Sequence, residues 1–261
     1  MAKLLQFTQE PNGILRLTLN DPERRNALSE KMLEHLGNAF EVAKTDHSVR
    51  AVVLAANGPA FCAGHDLKEL TASRTNQDKG EAYFDKIMNL CSTVMQMIPQ
   101  IPKPVIAEVA ATATAAGCQL IASCDLAYAG KMAKFSTPGV HIGLFCSTPM
   151  VALSRNVGAK HAMEMLLTGD MISAERAAEI GLVNSVIDES SLQSHVIEVV
   201  KKITSKSAVT LATGKAAFYK QRELSLADAY DYAARVMVEN MLHQDAVEGM
   251  AAFIEKRDPN W

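Results

Sequence analysis

The chain has 261 residues, 48% of them apolar, so it can bury a substantial core in one large or two small domains. Its 26 Lys and Arg residues are balanced by 29 Asp and Glu residues, and this balance argues against the strong phosphate attraction of most nucleic-acid-binding proteins. No apolar run reaches the roughly 18 to 20 residues of a transmembrane helix, since Gln96, Pro99 and Lys103 interrupt the segment 94–109. We therefore expect no nucleic-acid partner and no membrane span.

The cysteines and the amino terminus bear on the cellular compartment. The five cysteines form no C-x-x-C pair and no metal-finger spacing, so we expect small buried apolar residues in a reducing compartment. They are Cys62, Cys91, Cys118, Cys124 and Cys146. The first residues show neither a secretory signal nor an Arg-rich presequence, which predicts a cytoplasmic location.

The first elements in chain order are a strand, a helix and a second strand. Residues 14–19 alternate in hydropathy and end at the turn signal Asn-Asp-Pro. Ser29 is a candidate cap for a helix over residues 30–44, and residues 51–55 form a continuous apolar strand stopped by Asn-Gly-Pro.

The same order then repeats. A strand over residues 105–109 runs into the small-residue tract AATATAAG, a helix follows over 118–123, and a third strand spans 125–130. Short strands that alternate with helices predict an α/β fold, in which ligands bind where strand ends meet helix amino termini.

Beyond residue 150 the pattern is helical. Helices are predicted over 150–156, 161–167, 174–179 and 192–204, with Ser173 as a cap and Gly181 as a stop, and two long amphipathic stretches follow. In the last stretch an apolar stripe recurs at helical spacing, which fits either core packing or a subunit interface. Its members are Leu226, Tyr230, Ala233, Met237 and Met241.

Two small-residue turns are the candidate catalytic segments. The segment FCAGHDL (61–67) and the segment TAAGCQ (114–119) each lie between a strand and a helix, where main-chain N–H groups are left without partners. Two such turns brought together would present a pair of donors to one oxygen, which is how an oxyanion formed from a thioester carbonyl is stabilised.

These two turns, about fifty residues apart, resemble the crotonase (enoyl-CoA hydratase/isomerase) superfamily. PAFCAGHDLKEL is similar to the first oxyanion-hole segment of that family, and TAAGCQLIASCDLAYA is similar to the second. ERRNALS, PKPVIAEV, KFSTPGVHIG and GMAAFIEKR also fall in family order. HDLKEL, ATAAGCQL and TPGVHIGLFCSTP are most similar to the subgroup called enoyl-CoA hydratase domain-containing protein 3.

The resemblance implies the crotonase (ClpP/crotonase-like) α/β fold of repeated ββα units. Residues 1–200 would form the core, and residues 201–261 would form a carboxyl-terminal helical region for trimerisation and site closure. The implied substrate is an acyl-CoA thioester, the implied assembly is a homotrimer or a dimer of trimers, and no metal or redox cofactor is implied, since coenzyme A is part of the substrate.

The resemblance also implies site residues. The oxyanion N–H groups would belong to His65 and Ala116, and Gln119 and Gly139 occupy the positions of the two hydratase glutamates. Contacts to coenzyme A or the acyl group are implied for Arg25 (or Arg24), Ala63, Gly64, Asp66, Leu67, Lys68, Gly117, His141 and Lys256.

The chain departs from the family at its acid and base. An amide and a glycine cannot take up a proton near neutral pH, so ordinary hydration should be absent or very slow. Glu108 lies at a normally apolar strand position, where it is either a base with a raised pKa or, as we favour, points away from the site or pairs with a Lys or Arg.

Other side chains remain candidates for the missing base or for a nucleophile. The His65 ring lies within a ligand loop, and imidazole titrates near neutrality. Cys146 or Ser147 would need a base such as His141 within hydrogen-bond reach.

Three functions are therefore compared. The favoured one is a CoA-thioester enzyme that stabilises an enolate, and the alternative is a binding or regulatory protein that holds acyl-CoA without turnover. A dinucleotide-dependent oxidoreductase is disfavoured because no G-x-G-x-x-G follows a predicted strand.

Overall fold

The computed structural model describes residues 3–261, which form two β-sheets surrounded by helices. The strands are β1 (Leu5–Glu10), β2 (Ile14–Leu19), β3 (Ala51–Ala56), β4 (Ala60–Cys62), β5 (Val105–Val109), β6 (Thr112–Thr114), β7 (Leu126–Gly130), β8 (Lys134–Ser136), β9 (Ile172–Ser173) and β10 (Ser185–Ile187).

The α-helices are α1 (Glu30–Thr45), α2 (Leu67–Ser73), α3 (Glu81–Gln100), α4 (Ala116–Ser123), α5 (Ser147–Asn156), α6 (Ala159–Thr168), α7 (Ala174–Glu179), α8 (Glu189–Thr204), α9 (Ala208–Gln221), α10 (Leu226–Met241) and α11 (Gln244–Glu255). Short 3-10 turns span Pro11–Gly13, Pro22–Arg24 and Pro138–Ile142. None of the helices described is long and apolar enough to cross a membrane.

The strands alternate between the two sheets. The larger sheet has the order β1-β2-β3-β5-β7-β10, with only β1 antiparallel to its neighbour, and the smaller has the order β4-β6-β8-β9, with β9 antiparallel to β8. Each of β3, β5 and β7 in the larger sheet is followed by β4, β6 or β8 in the smaller one, and then by helical structure. This is the repeated ββα arrangement predicted from the sequence.

The larger sheet is covered on both faces, which explains why β3 reads as a continuous apolar run. On one face Phe40 of α1 and Ile98 of α3 belong to the main core. On the other face Ile106 packs with Val196 and Val200 of α8. The small-residue turns follow β4 and β6, so the smaller sheet positions the predicted site.

Most predicted elements have the observed bounds within a few residues. Strands β2 and β5 match the predicted residues, and Ser29 caps α1 through an Oγ that accepts from the Met32 N–H at 3.2 Å. The prediction missed α3, whose last turn contains Pro99. It was wrong at the carboxyl end, where three helices rather than two follow α8, since His243 caps α11 directly after α10. The five cysteines are buried and free, as predicted.

The carboxyl-terminal helices are fixed to the core by a buried cation on α9. Lys215 Nζ donates to the carbonyl oxygens of Ile98 and Lys103 at 2.8 and 2.9 Å and to Asp125 Oδ2 at 2.6 Å. The Tyr219 hydroxyl donates to Asp125 Oδ1 at 2.8 Å. A core boundary between residues 200 and 201 would fall inside α8, whereas the chain leaves that helix after Thr204.

Candidate active site

The first turn, between β4 and α2, reverses direction at Gly64. This residue has φ +91°, which is a glycine conformation. A Cβ atom at Gly64 would lie 2.9 Å from the Ala115 Cβ and 3.3 Å from the Ala116 nitrogen. The first turn therefore lies directly against the second.

The second turn, between β6 and α4, contains a strained residue. Ala115 has φ +51° and ψ −120°, a conformation that costs a residue with a Cβ about 1 kcal/mol or more and is often found at functional sites. Thr114 Oγ1 donates to the Ala63 carbonyl at 3.0 Å, and a Cβ at Gly117 would lie 2.2 Å from the Cys62 oxygen. The absence of a side chain at Gly117 permits this close approach of the two turns.

The contact leaves two main-chain donors unused. The Ala116 N–H belongs to the first turn of α4, where helix geometry provides no acceptor. Neither this N–H nor that of His65 donates a hydrogen bond within residues 3–261. Adjacent unpaired donors at the start of a helix suit an oxygen that develops negative charge.

The His65 side chain is half-buried beside these donors. Neither ring nitrogen has a hydrogen-bond partner in the part of the chain that the structure describes. Burial lowers the pKa of His65, and a smaller effect of the Leu28 main chain opposes this shift. Burial thus favours the neutral ring, which has one nitrogen able to accept a proton.

Gln119 lies one turn along α4 and is almost fully buried, with 5% of its surface exposed. Its Oε1 has no partner among the described residues. The residue lines a cleft of about 1210 Å³ between α3, α4, α5 and α9. This position, which the sequence resemblance matches to a hydratase carboxylate, carries a neutral amide that faces a cavity.

Gly139 has no space for a side chain. A Cβ there would lie 2.7 Å from the Leu144 carbonyl oxygen and 3.0 Å from Cys146 Sγ. The turn Pro138–Ile142 folds this segment over it, and the Leu144 N–H donates to the Gly139 carbonyl at 2.9 Å. The space that a side chain at Gly139 would need is therefore filled by the segment that covers it.

The candidate nucleophiles are not paired with a base. Cys146 is buried, which raises the pKa of its thiol. Ser147 Oγ donates to the Phe145 carbonyl at 3.3 Å. His141 is exposed, and its Nε2 lies 2.7 Å from where a Cβ of Gly169 would stand. No hydrogen bond joins His141 to either candidate within the described chain.

Several predicted coenzyme A contacts form one surface around the first turn. The Ala63 N–H donates to the Arg25 carbonyl at 3.0 Å, and Arg25, Leu67 and Lys68 are exposed. Asp66 is buried and caps α2, accepting from the Lys68 N–H at 2.8 Å. Its carboxylate therefore stabilises the start of α2.

Two further charged residues were singled out from the sequence. Lys256 directly follows α11 and has the left-handed φ of +56° that ends this helix. Glu108 accepts from Arg16 at 3.0 Å on the sheet face that α8 covers, and burial raises the pKa of this carboxyl while Arg16 lowers it. The prediction that Glu108 pairs with a cation is confirmed.

Sequence reasoning missed the wall of the cleft. Arg155 at the end of α5 and Arg222 just after α9 both line it. No motif marks these residues, because they come together only through the packing of helices that are distant in sequence.

Comparisons with known proteins agree with the fold. The family model described as Enoyl-CoA hydratase/isomerase matches residues 9–261. The chain is similar to a solved enoyl-CoA hydratase of Mycobacterium smegmatis, with 49% identity, 99% of each chain covered and a TM-score of 0.94. It is also similar to the solved human enoyl-CoA hydratase domain-containing protein 3, with 42% identity, coverage of 99% and 100%, and a TM-score of 0.94. These neighbours confirm the crotonase fold and the predicted subgroup.

The curated relatives correct one prediction. The mouse protein "Enoyl-CoA hydratase domain-containing protein 3, mitochondrial" is 45% identical over 98% of this chain and 84% of its own length. The frog and human counterparts carry the same description. The prediction of a cytoplasmic location is therefore wrong, because it rested on the first residues alone.

Proposed function

Because the chain belongs to the enoyl-CoA hydratase/isomerase family, we propose that it binds an acyl-CoA thioester and holds the carbonyl oxygen between the N–H groups of His65 and Ala116. The observation that carries this proposal is the contact between the two turns, with both donors unused. Coenzyme A would lie on the surface formed by Arg25, Ala63 and Lys68.

The proposed chemistry is stabilisation of a thioester enolate. Two N–H donors strengthen their hydrogen bonds as negative charge moves onto the carbonyl oxygen, so they favour removal of a proton from the adjacent carbon. Each such donor contributes about 3 to 4 kcal/mol in other enzymes. The reaction requires neither a metal nor a redox cofactor.

Ordinary hydration is not the proposed reaction. Gln119 has no basic site, and Gly139 has neither a side chain nor space for one. The neutral ring of His65 is the titratable group nearest to the donors along the chain, and we propose it as the candidate base.

A second candidate function is acyl-CoA binding without turnover. The filled position at Gly139 favours it, since Leu144 and Cys146 close the place where a second catalytic group would stand. Turnover of purified protein with crotonyl-CoA, a 3-enoyl-CoA and saturated acyl-CoAs separates the two functions. Product formation that is lost in His65→Gln supports the enzyme, whereas tight binding without product supports the binding protein.

The donor pair is tested by removing one N–H. Proline is tolerated at the first position of a helix and has no N–H, so Ala116→Pro should weaken acyl-CoA binding more than binding of free coenzyme A. Ala116→Gly keeps the donor and is the matched control. If Ala116→Pro fails to fold, Gly64→Ala tests the same site, since its Cβ would stand 3.3 Å from the Ala116 nitrogen. Equal acyl-CoA affinity in the control and in the folded variants would contradict the proposal.

We also propose that the chain assembles as a trimer or a dimer of trimers. The apolar stripe of α10 is exposed in the single chain, as are Phe253 and Ile254 of α11, so the core alternative for this stripe does not hold. Contiguous apolar surface on an isolated chain is typical of an interface. Sedimentation equilibrium tests the assembly, and a monomer at micromolar concentration would contradict it.

A further inference from the structure

We propose that the acyl group bound by this chain carries a carboxylate at its far end, so that the substrate class is an ω-carboxylated acyl-CoA thioester. This inference rests on the proposed function and extends it to the other end of the acyl chain. It is drawn from the cleft that begins at Gln119.

The cleft is large enough to hold an acyl chain and begins at Gln119, which lies on α4 one turn beyond Ala116. Ala122 and Ser123 continue the same wall. Helices α3, α5 and α9 supply the other walls of this space of about 1210 Å³. A chain that runs from the proposed donor pair along α4 would pass Gln119 and enter this space.

Part of the cleft wall is positively charged. Arg155, Lys220 and Arg222 line the cleft, together with the single acidic residue Glu223. None of the three cations forms an ion pair within residues 3–261. The four side chains carry a net charge of +2, which favours an anionic ligand group.

A main-chain contact joins the two arginines. Arg222 donates to the main-chain carbonyl of Arg155, and its guanidinium lies 5.5 Å from the centre of the Phe218 ring. Arg155 Nη1 donates to the Val151 carbonyl at 3.1 Å. Each guanidinium has five N–H donors in a planar fork that matches a carboxylate, so donors remain on both residues for a planar anion.

The amide of Gln119 fits this charge pattern. A glutamate at this buried position would place a negative charge on the path of an anionic chain, where low polarity strengthens repulsion. Gln119 is neutral, and its unpartnered Oε1 leaves the wall polar without charge. The replacement that weakens hydration therefore also removes a barrier to a carboxylated chain.

The distance sets the chain length. Asn156, next to Arg155, donates to the Ala122 carbonyl at 2.7 Å, so the arginines flank the carboxyl end of α4. Ala116 and Ala122 are six residues apart, which is about 9 Å at 1.5 Å per helical residue. An extended chain advances roughly 3.5 Å for every three bonds, so about eight bonds span this distance. We therefore choose an eight-carbon probe.

The test compares suberoyl-CoA with octanoyl-CoA, which differ only in the terminal carboxylate, by calorimetric titration of the full chain. Wild-type protein should bind suberoyl-CoA about tenfold more tightly. In the double variant Arg155→Gln and Arg222→Gln the ratio of the two Kd values should fall to about one, whereas the double lysine variant at these positions should keep part of it. Lys31→Gln removes an exposed cation on α1 and should keep the full ratio.

The outcomes separate this inference from the proposed function. Tight binding of octanoyl-CoA with no preference for suberoyl-CoA would overturn the inference and leave the proposed function intact. A preference that persists in the double glutamine variant would also overturn it, since the arginines would not be its source. Failure of both thioesters to bind would overturn the proposed function and the inference with it.

Discussion

Replacement of Lys215 by methionine should separate the carboxyl-terminal helices from the core. The ammonium group donates to three oxygens, and only 9% of the side chain is exposed. Removing it leaves the Asp125 carboxylate with the Val105 N–H at 2.7 Å and the Tyr219 hydroxyl at 2.8 Å as its remaining donors. Removing one partner of a buried ion pair lowers the free energy of unfolding by about 3 to 5 kcal/mol.

The assay is thermal and urea unfolding at one fixed protein concentration, because assembly makes the midpoint depend on concentration. For a chain of this size the loss corresponds to a fall in Tm of roughly 6 to 20 °C. Lys220→Met is the matched control, since Lys220 lies on the same helix and is exposed. A loss below about 1 kcal/mol, or one equal to that of the control, would refute the reasoning.

Three further predictions concern the site and the sheet beneath it. Gln119→Glu should fold and gain measurable crotonyl-CoA hydration. Adding Gly139→Glu should lower the free energy of unfolding by about 1 to 3 kcal/mol, because the new side chain overlaps the main chain. An unchanged urea midpoint in the double variant would contradict this expectation. The folded-state pKa of His65 is lowered, so below pH 6.5 the unfolded chain takes up a proton that the folded chain does not. Stability should therefore fall with decreasing pH, by at most about 1.4 kcal/mol per pH unit for this one group, and the slope should flatten in His65→Gln; identical slopes in urea titrations would sink the idea. Glu108→Gln should cost about 2 kcal/mol, because Arg16 loses a charged acceptor while retaining Glu10. A loss in the double variant Arg16→Met with Glu108→Gln that equals the sum of the two single losses would be at odds with coupling between the two residues.

Much of the fold was predictable from sequence because its longer elements have local signals. Ser29 caps α1 and Gly181 follows α7, and both are residue types that act within one turn. The strands of the smaller sheet have only two or three residues, which is too short for any period to register. The prediction left out helix α3, although its buried Ile87, Cys91 and Val94 recur at helical spacing.

The two turns of the site were also predictable, since a small-residue turn between a strand and a helix leads into the first helical turn, whose N–H groups have no acceptor within the helix. The surroundings of the two turns could not be predicted from the sequence. The carbonyl of Leu144 fills the space beside Gly139 through a turn that carries no marker. Arg155 and Arg222 come into contact only because α5 and α9 pack together, so no sequence pattern marks this pair of charges.

The interlocking of the two turns has a thermodynamic consequence. Gly64 against Ala115 and Gly117 against Cys62 fix the two N–H groups of the proposed donor pair as the chain folds, before any thioester is bound. Preorganised dipoles need no rearrangement when charge develops, so ligand binding should proceed with little entropy lost from this part of the backbone. Hydrogen exchange of the bonded amides at the two bends, those of Ala63 and Ala115, should accordingly be slow already in the free protein.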